Sequence, residues 1–169
     1  MLRFRTSSGR RSYKIDFMTA SNPSACNLAA EALRDAGRVR LLVTGSSMVP
    51  ALRPGDLITV ESAAAAEISP GEIVVFALSG RLVVHRLAAM LPAKTGNPRD
   101  LLMATRGDRA RREDPLVSSG ELLGRVTQIE RGSRRVRPRN RLNAAEQVVC
   151  RLLRISDRAT ALYLRVSAL

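Results

Sequence analysis

Gly45-Ser-Ser-Met-Val-Pro-Ala-Leu-Arg-Pro-Gly-Asp56 runs directly into the apolar stretch Leu57-Ile-Thr-Val60. Gly45 permits unusual backbone angles just ahead of a serine pair. Pro50 stiffens the residues after the pair, and Pro54-Gly55-Asp56 has the composition of a tight turn entering a strand. A serine at such a junction has backbone N–H groups close by that can act as oxyanion donors. By itself the stretch fits a plain hydrophilic turn equally well, because serine is common in turns.

On either side of it, short runs rich in Val, Ile and Leu alternate with Gly, Pro and Asp. The runs are 38–45, 56–62, 72–78, 81–91, 100–107 and 122–131, and the intervals between them (among them Ser69-Pro-Gly-Glu72, Ser79-Gly-Arg81 and Lys94-Thr-Gly-Asn-Pro-Arg-Asp100) are turn chemistry. This pattern predicts a mainly β, mostly antiparallel and barrel-like domain over residues 39–131. Ahead of it, residues 1–20 are polar and basic and read as a flexible arm. Ser24 to Gly37 reads as a helix with Leu28, Ala29, Ala32 and Leu33 on one face, Ser24 as its cap and Gly37 as its stop. Together, residues 1–38 form an arm plus a short helix. Residues 132–169 are a basic connector, up to Arg141, followed by a basic amphipathic C-terminal helix. That helix can pack on the β domain, dock on a protein partner or lie on a membrane.

Two further segments carry reactive side chains. His85, the chain's one histidine, lies in Leu82-Val-Val-His-Arg-Leu87, amid a strand that is otherwise apolar. Histidine there is costly unless hydrogen-bonded or employed, so it is either a satisfied structural residue or a working base. Thr105-Arg-Gly-Asp-Arg-Ala-Arg-Arg-Glu-Asp114 sets carboxylates among arginines. One of them can orient an imidazole, or they simply pair with neighbouring arginines.

Taken in order, the three segments make residues 41–129 resemble the catalytic domain of the signal peptidase I and LexA-type (S24/S26) serine peptidases. In that family a GxSMxPxLxxGD box carries the nucleophile, which places Ser47, directly before Met48, in that role. Pro70-Gly-Glu-Ile-Val-Val-Phe76 resembles the following strand, with Glu72 where Asp is usual. The base falls at His85, as in the archaeal and endoplasmic-reticulum signal peptidases, whereas other members use lysine. Lysine occurs here only at Lys14, in the basic arm, and Lys94, in a turn. The resemblance implies Asp114 as the orienting carboxylate, with Asp108 as the alternative. It further implies Ser46, Met48 and Pro50 near the oxyanion and the substrate, a compact LexA/signal-peptidase-like β barrel, and serine endopeptidase activity on a peptide or protein. A catalytically silent peptidase-like binding module, or a basic adaptor for an anionic surface, is the alternative.

Composition narrows the partners. Lys and Arg number 28 against 15 Asp and Glu, a formal charge of +13, but aromatics are 3% and Trp is absent. Basic clusters without interleaved aromatics do not make a single-strand stacking platform, and no nucleic-acid motif is present, so specific nucleic-acid binding is not expected. An anionic membrane surface or a protein reached through the C-terminal helix remains open. Cys26 and Cys150 have no metal-ligand spacing and read as small buried hydrophobes in helices, and no metal or cofactor is expected. No run approaches the ~18 apolar residues of a membrane span, and the basic start lacks the apolar core of a secretory signal. A soluble cytoplasmic protein, peripheral at the membrane if attached at all, is the corresponding expectation. Signal peptidases normally carry a membrane anchor and LexA-type repressors a DNA-binding domain, and neither is recognisable here.

Overall fold

The computed structural model describes residues 13–15, 23–94 and 100–166. In chain order its main elements are β1 (Tyr13–Ile15), α1 (Pro23–Ala36), β2 (Arg38–Leu42), β3 (Leu57–Glu61), β4 (Ile73–Leu78), β5 (Arg81–Pro92), β6 (Leu101–Arg106), β7 (Val117–Ser118), β8 (Leu122–Arg131), β9 (Arg134–Val136), α2 (Ala144–Leu153) and α3 (Asp157–Val166). The strands form one 9-stranded sheet in the order β1-β2-β3-β8-β4-β5-β6-β7, with β9 paired to β8. All pairings are antiparallel except β1 with β2. All six expected strands are present.

The ten-residue β8 organises the sheet. One edge takes β3 along Arg125–Glu130, and the other takes β4 at its start and β9 at its end. Register shifts at Thr59/Val60, Val75/Phe76 and Leu87/Ala89 increase local twist and bend the strands. The sheet is the expected mainly antiparallel β domain, built as a half-barrel. Its terminal strands, β1 and β7, have three and two residues, and no pairing among the described residues joins them.

Alternation sorts the core. On β4, Ile73 and Val75 enter one buried cluster with Leu33, Leu41, Met48, Ile58 and Val60. Val74 and Phe76 enter a second with Ile68, Leu87, Met103 and Val117. A strand buried on both faces reads as a continuous apolar run, which is why Ile73–Phe76 shows no polar alternation. α1 closes the first cluster with Ala32 and Leu33, and Cys26 and Ala29 are buried on the same helix. Leu28, expected on that face, is exposed instead. The helix begins at Pro23, so Ser24 lies inside its first turn rather than at the cap. Gly37 ends it as expected, at φ +68 with its N–H donating to Leu33 C=O at 2.9 Å.

The flanks differ from expectation in three places. Tyr13–Ile15, in the stretch read as a flexible arm, pairs in parallel with β2. The basic connector contains β9, turned back on β8 through Gly132 at φ +58. The single C-terminal helix is two. Asn143 and Glu146 form a reciprocal capping box for α2, and the chain breaks at Arg154–Ser156 before α3 begins at Asp157.

Candidate active site

Ser47 lies in the turn between β2 and β3. Val49 N–H donates to Ser46 C=O at 3.3 Å and Leu52 N–H to Met48 C=O at 2.9 Å, so the chain coils tightly after the serine. The N–H groups of Ser47 and Met48 enter none of these bonds. The turn is closed by Asp56, which is buried, accepts the Arg53 N–H at 2.8 Å and receives Arg131 on both carboxylate oxygens at 2.8 and 2.6 Å. That pair raises the Arg131 pKa, the hydrogen bond to Asp56 outweighing burial. Gly45 is not in the left-handed region, and a Cβ there would meet no protein atom within 4 Å. Backbone freedom is therefore not what this glycine supplies.

β5 brings His85 to Ser47. The imidazole Nε2 stands 2.9 Å from Ser47 Oγ, and Nδ1 stands 2.6 Å from Asp114 Oδ2. These partners fix the roles: a carboxylate only accepts, so Nδ1 carries the proton and Nε2 accepts from the serine hydroxyl. The side chains of His85 and Asp114 are 13% and 18% exposed, which limits competition from water. Asp114 is held in turn. Its Oδ2 accepts the hydroxyl of fully buried Thr105 at 2.7 Å, and its N–H donates to Thr105 C=O at 2.9 Å.

Asp108, the alternative carboxylate, does not reach His85. It is buried and holds Arg86 through two parallel bonds of 2.8 Å, Nε to Oδ1 and a terminal nitrogen to Oδ2. The other Arg86 terminal nitrogen donates to Gly71 C=O at 2.6 Å and Arg139 C=O at 2.7 Å. His85 and Arg86 are consecutive, and successive side chains on a strand point to opposite faces. One residue meets the serine and the next ties the loop bearing Asp108 to the connector ahead of α2.

Gly107 and Arg109 carry no role in the sequence reading, yet both touch this loop. A Cβ on Gly107 would sit 2.9 Å from Ser47 O, 3.1 Å from Ser47 Cβ and 3.1 Å from His85 Nε2. Only a residue without a side chain fits against the Ser–His contact. Arg109 N–H donates to Ser47 C=O at 2.8 Å. Its guanidinium donates to Ser46 Oγ at 3.3 Å, Asp157 Oδ1 at 2.7 Å and Thr160 Oγ1 at 3.1 Å, linking the serine turn to α3.

The remaining expected contacts divide. Met48 is buried and lines a groove of about 300 Å³ that opens beside Ser47 and His85, walled also by Leu42, Val43, Leu82 and Val84. Ser46 turns its hydroxyl to Arg109 and does not line the groove. Pro50 is buried on the other side of the turn, against a separate cavity with Arg86 and Arg131. It does not line the groove beside Ser47. Because the chain coils immediately after Met48, Pro50 is carried to the far side.

Cys26 reaches the same groove from α1, and Cys150 of α2 donates to Val49 C=O at 3.6 Å. Both are free and buried, and burial raises both thiol pKa values, that of Cys150 to about 11. Thiolate is the reactive form, so neither thiol is expected to react with a disulfide reagent at about pH 8 until the protein unfolds. Titration with and without denaturant checks this. Fast modification of native Cys150 would contradict its burial. Among the described residues no group of His, Cys, Asp and Glu could hold a metal ion. No helix there is long and apolar enough to cross a membrane.

Among known proteins, the family described as Peptidase S24-like matches residues 9–95, a span that includes β2 to β5, Ser47 and His85. No curated protein matches the chain. With a match over more than half its length, and an open antiparallel sheet that holds a serine against a histidine, the chain belongs to the Peptidase S24-like family of LexA- and signal-peptidase-like proteins.

Proposed function

We propose that this chain is a serine endopeptidase in which Ser47 is the nucleophile, His85 the general base and Asp114 the group that orients the imidazole. The observation that carries the reading is the unbroken contact chain from Ser47 Oγ to His85 Nε2 at 2.9 Å and from His85 Nδ1 to Asp114 Oδ2 at 2.6 Å. Neutral His85 takes the hydroxyl proton as Ser47 Oγ attacks the peptide carbonyl carbon. The tetrahedral oxyanion lies near the N–H groups of Ser47 and Met48. His85 returns the proton to the departing amine as the C–N bond breaks, leaving an acyl-serine. Water, deprotonated by His85, then releases the acid and restores the hydroxyl.

The groove supports an extended peptide with an aliphatic side chain next to the cleaved bond. Its walls are aliphatic, and among the described residues β5 between Arg81 and His85 is paired to β4 alone, because β6 begins its pairing only at Arg86. That free edge can take a substrate strand through main-chain hydrogen bonds. A silent binding module would need the groove but not the aligned serine, imidazole and carboxylate.

Labelling with a fluorophosphonate and a penem, followed by peptide mapping, tests the reading. The expected adduct is on Ser47, and it is lost in Ser47→Ala. Failure of both reagent classes, or an adduct that persists in Ser47→Ala, overturns it in favour of the binding module.

A further inference from the structure

We propose that the outer face of the α2–α3 pair docks on an anionic lipid surface. Val148, Leu152 and Ile155 form one stripe and Leu162 and Val166 another, all between 56% and 72% exposed. Together they present apolar area on the order of 500 Å², at the upper end of what a monomeric surface leaves uncovered. The inner face of the pair is already occupied. Cys150, Leu153 and Thr160 are buried, and Arg109, Arg111 and Arg154 make hydrogen bonds between the pair and the 108–111 loop.

Charge selects the occupant. Arg151, Arg158 and Arg165 are exposed beside the stripes and meet no carboxylate among the described residues. The acidic groups of the pair are engaged, Glu146 in the α2 cap and Asp157 with Arg109. A second copy laid face to face would set arginines against arginines. A protein hot spot draws on Trp, Tyr and Arg at the centre of a patch, whereas here the stripes themselves are aliphatic, the arginines lie beside them, and the one aromatic of the pair, Tyr163, is turned to Arg53, 5.3 Å from the guanidinium carbon to the ring centre. An aliphatic face flanked by unpaired arginines suits the boundary between lipid headgroups and acyl chains, which demands no matching shape. Because the inner face is tied to the 108–111 loop, a docked pair would also hold Ser47 at a fixed place relative to that surface.

Co-sedimentation of the full chain with phosphatidylcholine vesicles, with and without phosphatidylglycerol, tests this. Binding is expected only with the anionic lipid and should weaken with salt. Each arginine near such a surface is worth about a factor of five, so the triple change Arg151→Gln, Arg158→Gln and Arg165→Gln should weaken binding on the order of a hundredfold. Leu152→Glu with Ile155→Glu should abolish it. Since the chain has no Trp, Ile155→Trp adds a single reporter whose emission should shift to the blue on anionic vesicles, whatever the acidic double variant does to folding. Absence of binding overturns the proposal. So does binding that ignores these variants and depends instead on Arg134, Arg135 and Arg137, or an Ile155-dependent dimer in the absence of lipid.

Discussion

Asp114→Asn is expected to slow acylation of Ser47 by about 10⁴-fold, by analogy with loss of the carboxylate in serine–histidine–aspartate sites. Asp114 Oδ2 accepts from both His85 Nδ1 and Thr105 Oγ1. An amide with its oxygen at that point still accepts from both but carries no charge to stabilise the imidazolium, and with its nitrogen there it aims an N–H at the imidazole. If nitrogen faces Nδ1, that atom must accept, Nε2 carries the proton, and the ring can no longer take one from Ser47. The second-order rate of fluorophosphonate modification measures this directly. Asp108→Asn is the contrast. Its buried carboxylate holds half-buried Arg86 and touches nothing in the Ser–His pair, so the change should cost on the order of 3 kcal/mol of stability. Modification of the folded fraction should survive. Equal rates for wild type and Asp114→Asn would remove Asp114 from the mechanism.

Gly107→Ala should reduce the same rate on the order of a hundredfold. The added methyl would meet Ser47 O at 2.9 Å, a backbone atom that cannot swing away as a flexible side chain could. Ser47 O is also pinned by Arg109 N–H at 2.8 Å. Relief must come from movement of the serine turn or of the imidazole, and either lengthens the 2.9 Å contact on which proton transfer depends. A misplacement of about 1 Å is enough for a loss of that size. The fold should hold, since Gly107 is not in the left-handed region and alanine is compatible with its backbone. A variant with unchanged melting temperature and unchanged acylation would show that the loop yields without disturbing the pair.

The longest apolar runs are the most legible part of the chain. β4, β5 and β8 declare themselves through Val, Ile and Leu between turn residues, and each forms where the pattern says. β1 and β9 are three residues each, and all of β9 is exposed. Their pairing comes from the neighbouring strand's free edge and, for β9, from the turn at Gly132, not from any hydrophobic signal of their own. The break between α2 and α3 has a visible sign in Ser156-Asp157, a favourable helix start, but the apolar spacing from Val148 to Leu164 runs on through it.

At the site, the order of motifs puts Ser47 and His85 in one reading, and the fold sets their side chains 2.9 Å apart. Choosing between Asp108 and Asp114 is a three-dimensional matter, because both follow the same strand end and only the path of the loop decides which one meets the ring. Thr105, Gly107 and Arg109 escape a reading of the sequence for the same reason. Their importance lies in what they touch, and a threonine, a glycine and one arginine among 28 basic residues carry no local signature.

Between Gly107 and Asp114 the chain has no slack. In eight positions it must leave room for the serine, hold Arg86, fasten the Ser47 carbonyl and deliver a carboxylate to the imidazole, with Asp114 N–H bonded back to Thr105 C=O at 2.9 Å. Surface loops ordinarily absorb added or missing residues more readily than strands do. Here a single inserted or deleted residue would put every later task out of step, so this loop should be as intolerant of length change as a core strand. The turn at Gly132-Ser133, exposed on both residues and touching no part of the site, is where an engineer would place a tag.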